Sequence, residues 1–206
     1  MGDLLLVLPH CLEGVGGAPT GQTEWSRSGQ HTSFTDLPLT QEGEEQAKSL
    51  APLLSGRTFA LALTSPLIRA VRTAELAGVA GAVPDPDLHK WDYGGYEGVT
   101  TVDIHRTRPD WCLWTDGVAP GPADHPGESP AEVGARADRV LARVAAALPD
   151  GDVVLVAHGH FLRVVTARGL GLAPADGRLF QLATGTVSRL STDHGRPVIA
   201  EWNTRS

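Results

Sequence analysis

The sequence predicts an α/β fold: a three-layer α/β/α sandwich built on a mainly parallel sheet. Three observations point there. Short apolar runs at Leu4–Leu8, Phe59–Leu63 and Val153–Ala157 have the length and composition of strands buried on both faces. Helical patterns separate these runs, so strands and helices alternate along the chain. The third run passes straight into His158 and a helix start, and the carboxyl end of a strand is where open α/β sheets bind ligands.

The elements follow in order. Leu4–Leu8 is the first strand. A helix is predicted from about Gln41 to Leu54, with Thr40 as its N-cap and Ala47, Leu50, Ala51 and Leu54 on one face. Phe59–Leu63 is the second strand. Ser65-Pro66 then offers a cap and a first-turn proline to a helix that turns Leu67, Ala70, Val71 and Ala74 inward. Gly78 to Asp87 reads as a Gly/Pro-rich connection, Thr100 to Arg108 as a short helix, and Pro109 to Gly127 as a long loop. Ser129-Pro130-Ala131-Glu132 is a capping-box pattern, and it opens the clearest helix of the chain. Val133, Ala137, Val140, Leu141, Val144 and Leu148 form its apolar face. The Asp150-Gly151-Asp152 turn leads into the strand that ends at His158, and a helix runs on to about Leu170. From Leu179 to Trp202 the alternation fits two strands around an Asp193-His194-Gly195 turn.

At 206 residues the chain suits a single domain, 1–206, with a sizeable core; no repeat or linker interrupts it. Its net charge of −7 and lack of a basic patch argue against nucleic acid as a partner. A small phosphorylated substrate is still compatible, because a site can be locally positive on an acidic protein. Cys11 and Cys112 make no disulfide framework and have no metal-type spacing, so a reducing cytoplasm is expected, with neither metal nor cofactor. The start, Met1-Gly2-Asp3, is too acidic and its apolar run too short for a signal peptide. No stretch reaches membrane-spanning length, so no membrane partner is expected. The oligomeric state stays open, and a homo-oligomer is compatible with the sequence.

A lone histidine at a strand end is ordinarily a hydrogen-bonded core residue. The helix start after His158, however, offers unpaired N–H groups and a positive dipole end, which suit an anion. Other segments add to this: Gly21-Gln22-Thr23-Glu24-Trp25-Ser26, Ser28-Gly29-Gln30-His31-Thr32-Ser33, Thr64-Ser65-Pro66-Leu67-Ile68-Arg69-Ala70, Trp91-Asp92-Tyr93-Gly94-Gly95-Tyr96-Glu97-Gly98 and Ala157-His158-Gly159-His160. In this order and spacing they resemble the histidine phosphatase superfamily, the phosphoglycerate-mutase-like proteins, with its broad-specificity and sugar-phosphate phosphatases the nearest likeness. The match runs from about Gly21 to about residue 170.

The resemblance implies the same three-layer fold and phosphoryl transfer through a histidine that is transiently phosphorylated. That chemistry needs an in-line nucleophile, positive charge around the equatorial oxygens and a proton donor for the leaving alkoxide. Arg69 matches the family's second phosphate-clamping arginine; its planar fork binds phosphate oxygens in a way a lysine does not reproduce. His158 matches the second histidine. Gly21, Gln22, Thr23, His31, Thr32, Lys90, Gly159 and His160 fall in segments that would hold substrate.

Three departures stand out. The family's first strand runs directly into Arg-His-Gly, whereas here Val7 is followed by Leu8-Pro9-His10-Cys11 and a Gly-rich stretch to Thr20. In one alignment Pro9-His10-Cys11 stands in for the triplet, His10 is the nucleophile and the first arginine is lost. In the other the whole block replaces Arg-His, Gly21 is the family glycine and no nucleophile remains. The irregular Leu8–Thr20 segment is also what an error or relic in the sequence would look like. Second, Lys90 occupies the expected position of the acid, and an amine with an ordinary pKa of about 10.4 is a poor proton donor near neutrality. Asp92 and Glu97 are the remaining proton-donor candidates. Third, Phe34 stands where a polar residue fits better.

The leading expectation is therefore a metal-independent phosphomonoesterase of weak activity, catalysed by His10, Arg69 and His158. The main alternative is an inactive relative that binds phosphorylated ligands. A metallohydrolase built on His158-Gly159-His160 lacks the Asp-His that its signature requires, and the chain lacks the long insertions of glycolytic mutases. Substrate identity is not legible; it would lie in Pro109–Gly127 and around His31.

Overall fold

The computed structural model describes residues 2–8 and 23–206. Strand β1 is Leu4–Leu8, followed by helix α1 at Glu24–Ser28, α2 at Gln41–Ser49 and α3 at Ala51–Leu54. Strand β2, Phe59–Thr64, leads to α4, Ile68–Leu76, and to a two-residue strand β3, Val83–Pro84. Short helices α5, Thr101–His105, and α6, Leu113–Asp116, precede the long α7, Pro130–Ala147. Strand β4, Asp152–Val156, then α8, Gly159–Gly169, and the hairpin of β5, Thr186–Asp193, with β6, Arg196–Thr204, complete the chain.

The six strands form one sheet in the order β3-β2-β4-β1-β5-β6. The first four run parallel and β5 and β6 are antiparallel, so the sheet is mainly parallel. Side chains on a strand alternate between faces, and the alternation here sorts the core into two layers. Leu4 and Leu6 of β1, with Val153 and Leu155 of β4, pack against Val133, Ala137, Val140 and Val144 of α7 and Phe161 and Val165 of α8. Leu5 and Val7, with Val154 and Val156, pack on the other face among Leu50, Leu54, Ala74 and Val79, on and beside α2, α3 and α4. A continuous apolar strand thus supplies both layers at once. The outcome is the expected α/β/α sandwich.

Local chemistry moved several boundaries. The helix expected over 41–54 breaks at Leu50, because Pro52 has no N–H for the carbonyl one turn earlier. Thr40 caps it as expected, accepting from Gly43 N–H at 3.2 Å. The helix expected from Ser65-Pro66 begins two residues later, at Ile68. Its first free N–H is capped from a distant segment, by the Asp36 carboxylate at 3.0 Å. The 78–87 connection contains β3, whose Pro84 is tolerated at a sheet edge. The 109–127 loop contains α6, which buries Leu113 and Trp114. The final turn has His194 at φ 47° and Gly195 at φ 78°, the paired positive angles of a tight hairpin.

Candidate active site

Because β1, β2 and β4 are parallel, their carboxyl ends lie at one edge of the sheet. Past the end of β4, Ala157 and His158 are fully buried, and His158 is the extended residue before α8. Past the end of β2, Ser65 N–H continues the ladder onto Val156 O at 2.9 Å. That bond brings the Ser65 hydroxyl to 2.7 Å from His158 Nε2. Ser65 Oγ accepts from Leu67 N–H at 3.3 Å, and His158 Nε2 is the acceptor within reach of its buried O–H among the described residues; with that O–H donating, the ring proton is assigned to Nδ1. Nδ1 is buried and has no hydrogen-bond partner among the described residues. Burial, reinforced by the positive charges of Arg69 and Lys90, holds the imidazole well below the usual histidine pKa and keeps it neutral.

Arg69, on the first turn of α4, is 1% exposed. Its Nη1 donates to Thr35 O and its Nη2 to Ser33 O, both at 3.3 Å, and the Asp36 carboxylate stands 3.7 Å from Nη1. Those carbonyls are fixed in turn. The Glu97 carboxylate accepts from Ser33 N–H at 2.7 Å, Ser33 O–H at 2.6 Å and Thr35 N–H at 3.1 Å. The guanidinium therefore sits in a braced cradle. Its charge reaches His158, and the two side chains share one end of the sheet.

The remaining residues spread around this pair. Thr23 and Thr32 are buried, and Thr32 O–H donates to Gln30 O at 3.3 Å. His31 is buried edge-on between Tyr93 and Trp111, with Nδ1 2.6 Å from Val99 O. Lys90 is 1% exposed, with its ammonium 5.3 Å from the centre of the Tyr93 ring. Gly159 opens α8, where no side chain caps the helix start. His160 faces Tyr93, Trp91 and Trp114, and its Nδ1 lies 2.9 Å from the Tyr93 hydroxyl. It occupies an aromatic box, whereas His158 turns toward Ser65. Among the described residues no three His, Cys, Asp or Glu side chains gather as a metal site.

Both candidate proton donors are engaged with the backbone. Asp92 accepts from Gly94 N–H at 2.9 Å and Gly127 N–H at 3.1 Å, and Glu97 makes the three bonds described above. Phe34 stacks on His125 of the 109–127 loop with ring centres 3.9 Å apart, which joins the two loops expected to set specificity. His10, Gly21 and Gln22 lie outside the described residues.

Ser65, Ser33 and Tyr93 were not singled out by sequence. Ser65 read as a helix cap, and only its place after β2, opposite the end of β4, marks it as the partner of His158. Ser33 and Tyr93 carry no local pattern of their own.

Comparison with known proteins fits this geometry. Residues 20–205 match the Histidine phosphatase superfamily (branch 1). An acid phosphatase of Mycobacterium tuberculosis is 38% identical over 177 residues, which cover 85% of this chain and 84% of that protein. A solved Mycobacterium tuberculosis structure superposes with a TM-score of 0.86 at 35% identity, covering 99% of this chain and 98% of the other. A mycobacterial glucosyl-3-phosphoglycerate phosphatase solved with VO3 gives 0.78 at 27% identity, covering 99% and 100%. No helix among the described residues is long and apolar enough to cross a membrane.

Proposed function

Because this chain belongs to the histidine phosphatase superfamily, branch 1, we propose that it is a metal-independent phosphatase that hydrolyses a small phosphorylated metabolite through a phosphohistidine. In this reading Arg69 and His158 hold the equatorial oxygens, as a bidentate cation and a neutral N–H donor. His10 attacks phosphorus, the P–O ester bond breaks and the leaving oxygen takes a proton; water then releases phosphate from the histidine. Thr23, His31, Thr32 and the Gly159 N–H line the substrate, together with Gly21 and Gln22, and His160 supports the site from its aromatic box. The observation that carries the reading is the buried His158 Nδ1, without a hydrogen-bond partner among the described residues, beside the braced Arg69 guanidinium. An unmet donor next to a buried cation suits an oxyanion.

Two positions weaken the apparatus. Pro9 stands where the first arginine is expected, and Lys90 where the acid is expected. Loss of one preorganised contact typically costs about 10²–10³ in rate. The engagement of Asp92 and Glu97 by backbone N–H groups favours a second reading, an inactive member that binds phosphorylated ligands. Turnover of p-nitrophenyl phosphate, its inhibition by orthovanadate and acid-quench trapping of labelled phosphate decide between them. The phosphatase reading expects slow, vanadate-sensitive turnover and a label lost in His10→Ala; vanadate binding with neither turnover nor label leaves only the binding protein. Lys90→Glu is expected to raise kcat on alkyl phosphates, which need leaving-group protonation most.

A further inference from the structure

The backbone that carries Lys90 into the site is irregular: a 3-10 turn at Pro86–Leu88 and then coil. Arg139 and Arg143 pair with the Asp87 carboxylate, and the backbone carbonyls are held by Arg136 in the second turn of α7. Arg136 Nη1 donates to Asp87 O and to His89 O, both at 2.7 Å, and Nη2 reaches Lys90 O at 3.5 Å. Nε and Nη2 pair with the Glu128 carboxylate at 2.8 and 2.7 Å. These bonds use all five guanidinium N–H donors. Glu128 completes the hold: its carboxylate accepts from Asp92 N–H and its carbonyl from Trp91 Nε1, at 2.9 and 2.8 Å. The carbonyls of Asp87, His89 and Lys90 before the site, and the Trp91 indole and Asp92 N–H after it, are thus tied to one largely buried pair.

Burying a guanidinium is expensive, and an apolar residue in its place is often at least as stabilising. What an apolar residue lacks is the power to set the carbonyls of Asp87, His89 and Lys90 at fixed positions. Arg136 also lies 4.6 Å over the ring of Phe161, three residues beyond His158, so the clamp is seated on the helix that follows that histidine.

We propose that the Glu128–Arg136 pair is a positioning device for the anion pocket, fixing the backbone around Lys90 so that its ammonium meets a bound oxyanion at one set place. The proposal rests on the reading above only for the existence of an anion pocket; turnover is not required. The test is a double-mutant cycle on the full chain with Lys90→Met, Arg136→Lys and both, reading orthovanadate affinity, kcat/KM for p-nitrophenyl phosphate where turnover exists, and Tm. Arg136→Lys is expected to weaken vanadate binding by about tenfold to hundredfold in the native background, as expected of a misplaced contact, and by less than about twofold where Lys90 is already Met. The fall in Tm is expected to be the same in both backgrounds. Equal losses of affinity in both backgrounds, or no loss in either, would overturn the proposal. If Arg136→Lys does not fold, Glu128→Gln replaces it in the same cycle. A native protein that binds neither vanadate nor phosphate removes the pocket, and the clamp's role with it. Vanadate binding with an additive cycle removes the clamp alone.

Discussion

At the scale of single residues, the site is decided by which polar atoms are already satisfied. His158 Nε2 has Ser65 and its Nδ1 has no partner among the described residues, so one nitrogen is anchored and the other is not. Ser65→Ala removes the anchor and leaves Nε2 buried without a partner. The expected cost is about 1–3 kcal/mol of stability, read by urea unfolding, with weaker orthovanadate binding because the ring proton is no longer held on Nδ1; unchanged values in both would contradict the tautomer assignment. Arg69→Lys keeps the charge but gives up the fork that spans Ser33 O and Thr35 O. Its kcat/KM for p-nitrophenyl phosphate is expected to fall by about 10²–10³.

At the scale of elements, termini and close approaches matter most. The start of α7 carries a full capping box: Ser129 accepts from Glu132 N–H at 3.3 Å and Glu132 accepts from Ser129 N–H at 2.8 Å. Ser129→Ala is expected to cost about 1 kcal/mol in chemical denaturation. The same helix start presents Glu128 and Arg136, so local capping and the long-range clamp share the stretch from Glu128 to Arg136. Gly94 sits at φ 52°, and a Cβ there would lie 2.5 Å from Ala119 O. Only glycine lets the 118–127 loop lie directly on residues 94–95, beside the Phe34–His125 stack. Gly94→Ala is expected to destabilise the fold by about 1–3 kcal/mol; a Tm equal to that of the native protein would show that the loop simply moves aside.

At the scale of the whole molecule, buried neutral histidines couple the fold to pH. Burial holds His158 well below the ordinary histidine pKa of about 6.5, and burial also lowers His89. With the folded pKa depressed, the unfolded chain binds more protons below about pH 6.5, so stability falls as pH drops through that value. Above it, both states hold a neutral ring and the dependence vanishes. Each such group contributes a slope of up to about 1.4 kcal/mol per pH unit. Urea unfolding between pH 7.5 and 5.5 is expected to show this decline, and His158→Asn to flatten it by about one proton; an unchanged slope would mean that His158 titrates normally in the fold.

What was legible in the sequence is what repeats or sits next to itself along the chain. The apolar run of β1 supplies both core layers because a period of two is built into any strand, and the capping box of α7 is closed within four residues. Arg69 and His158 were marked by their own short motifs. The tertiary structure alone decided the partnerships between distant atoms. Ser65 reaches His158 across 93 residues of chain, Asp36 caps a helix 32 residues away, and Glu97 spends its carboxylate on a loop 64 residues earlier. A hydrogen bond depends on where two groups meet in space, and no local period records it. The same holds for Lys90, whose carbonyl is bonded by Arg136 46 residues downstream, a contact that no pattern at Lys90 announces.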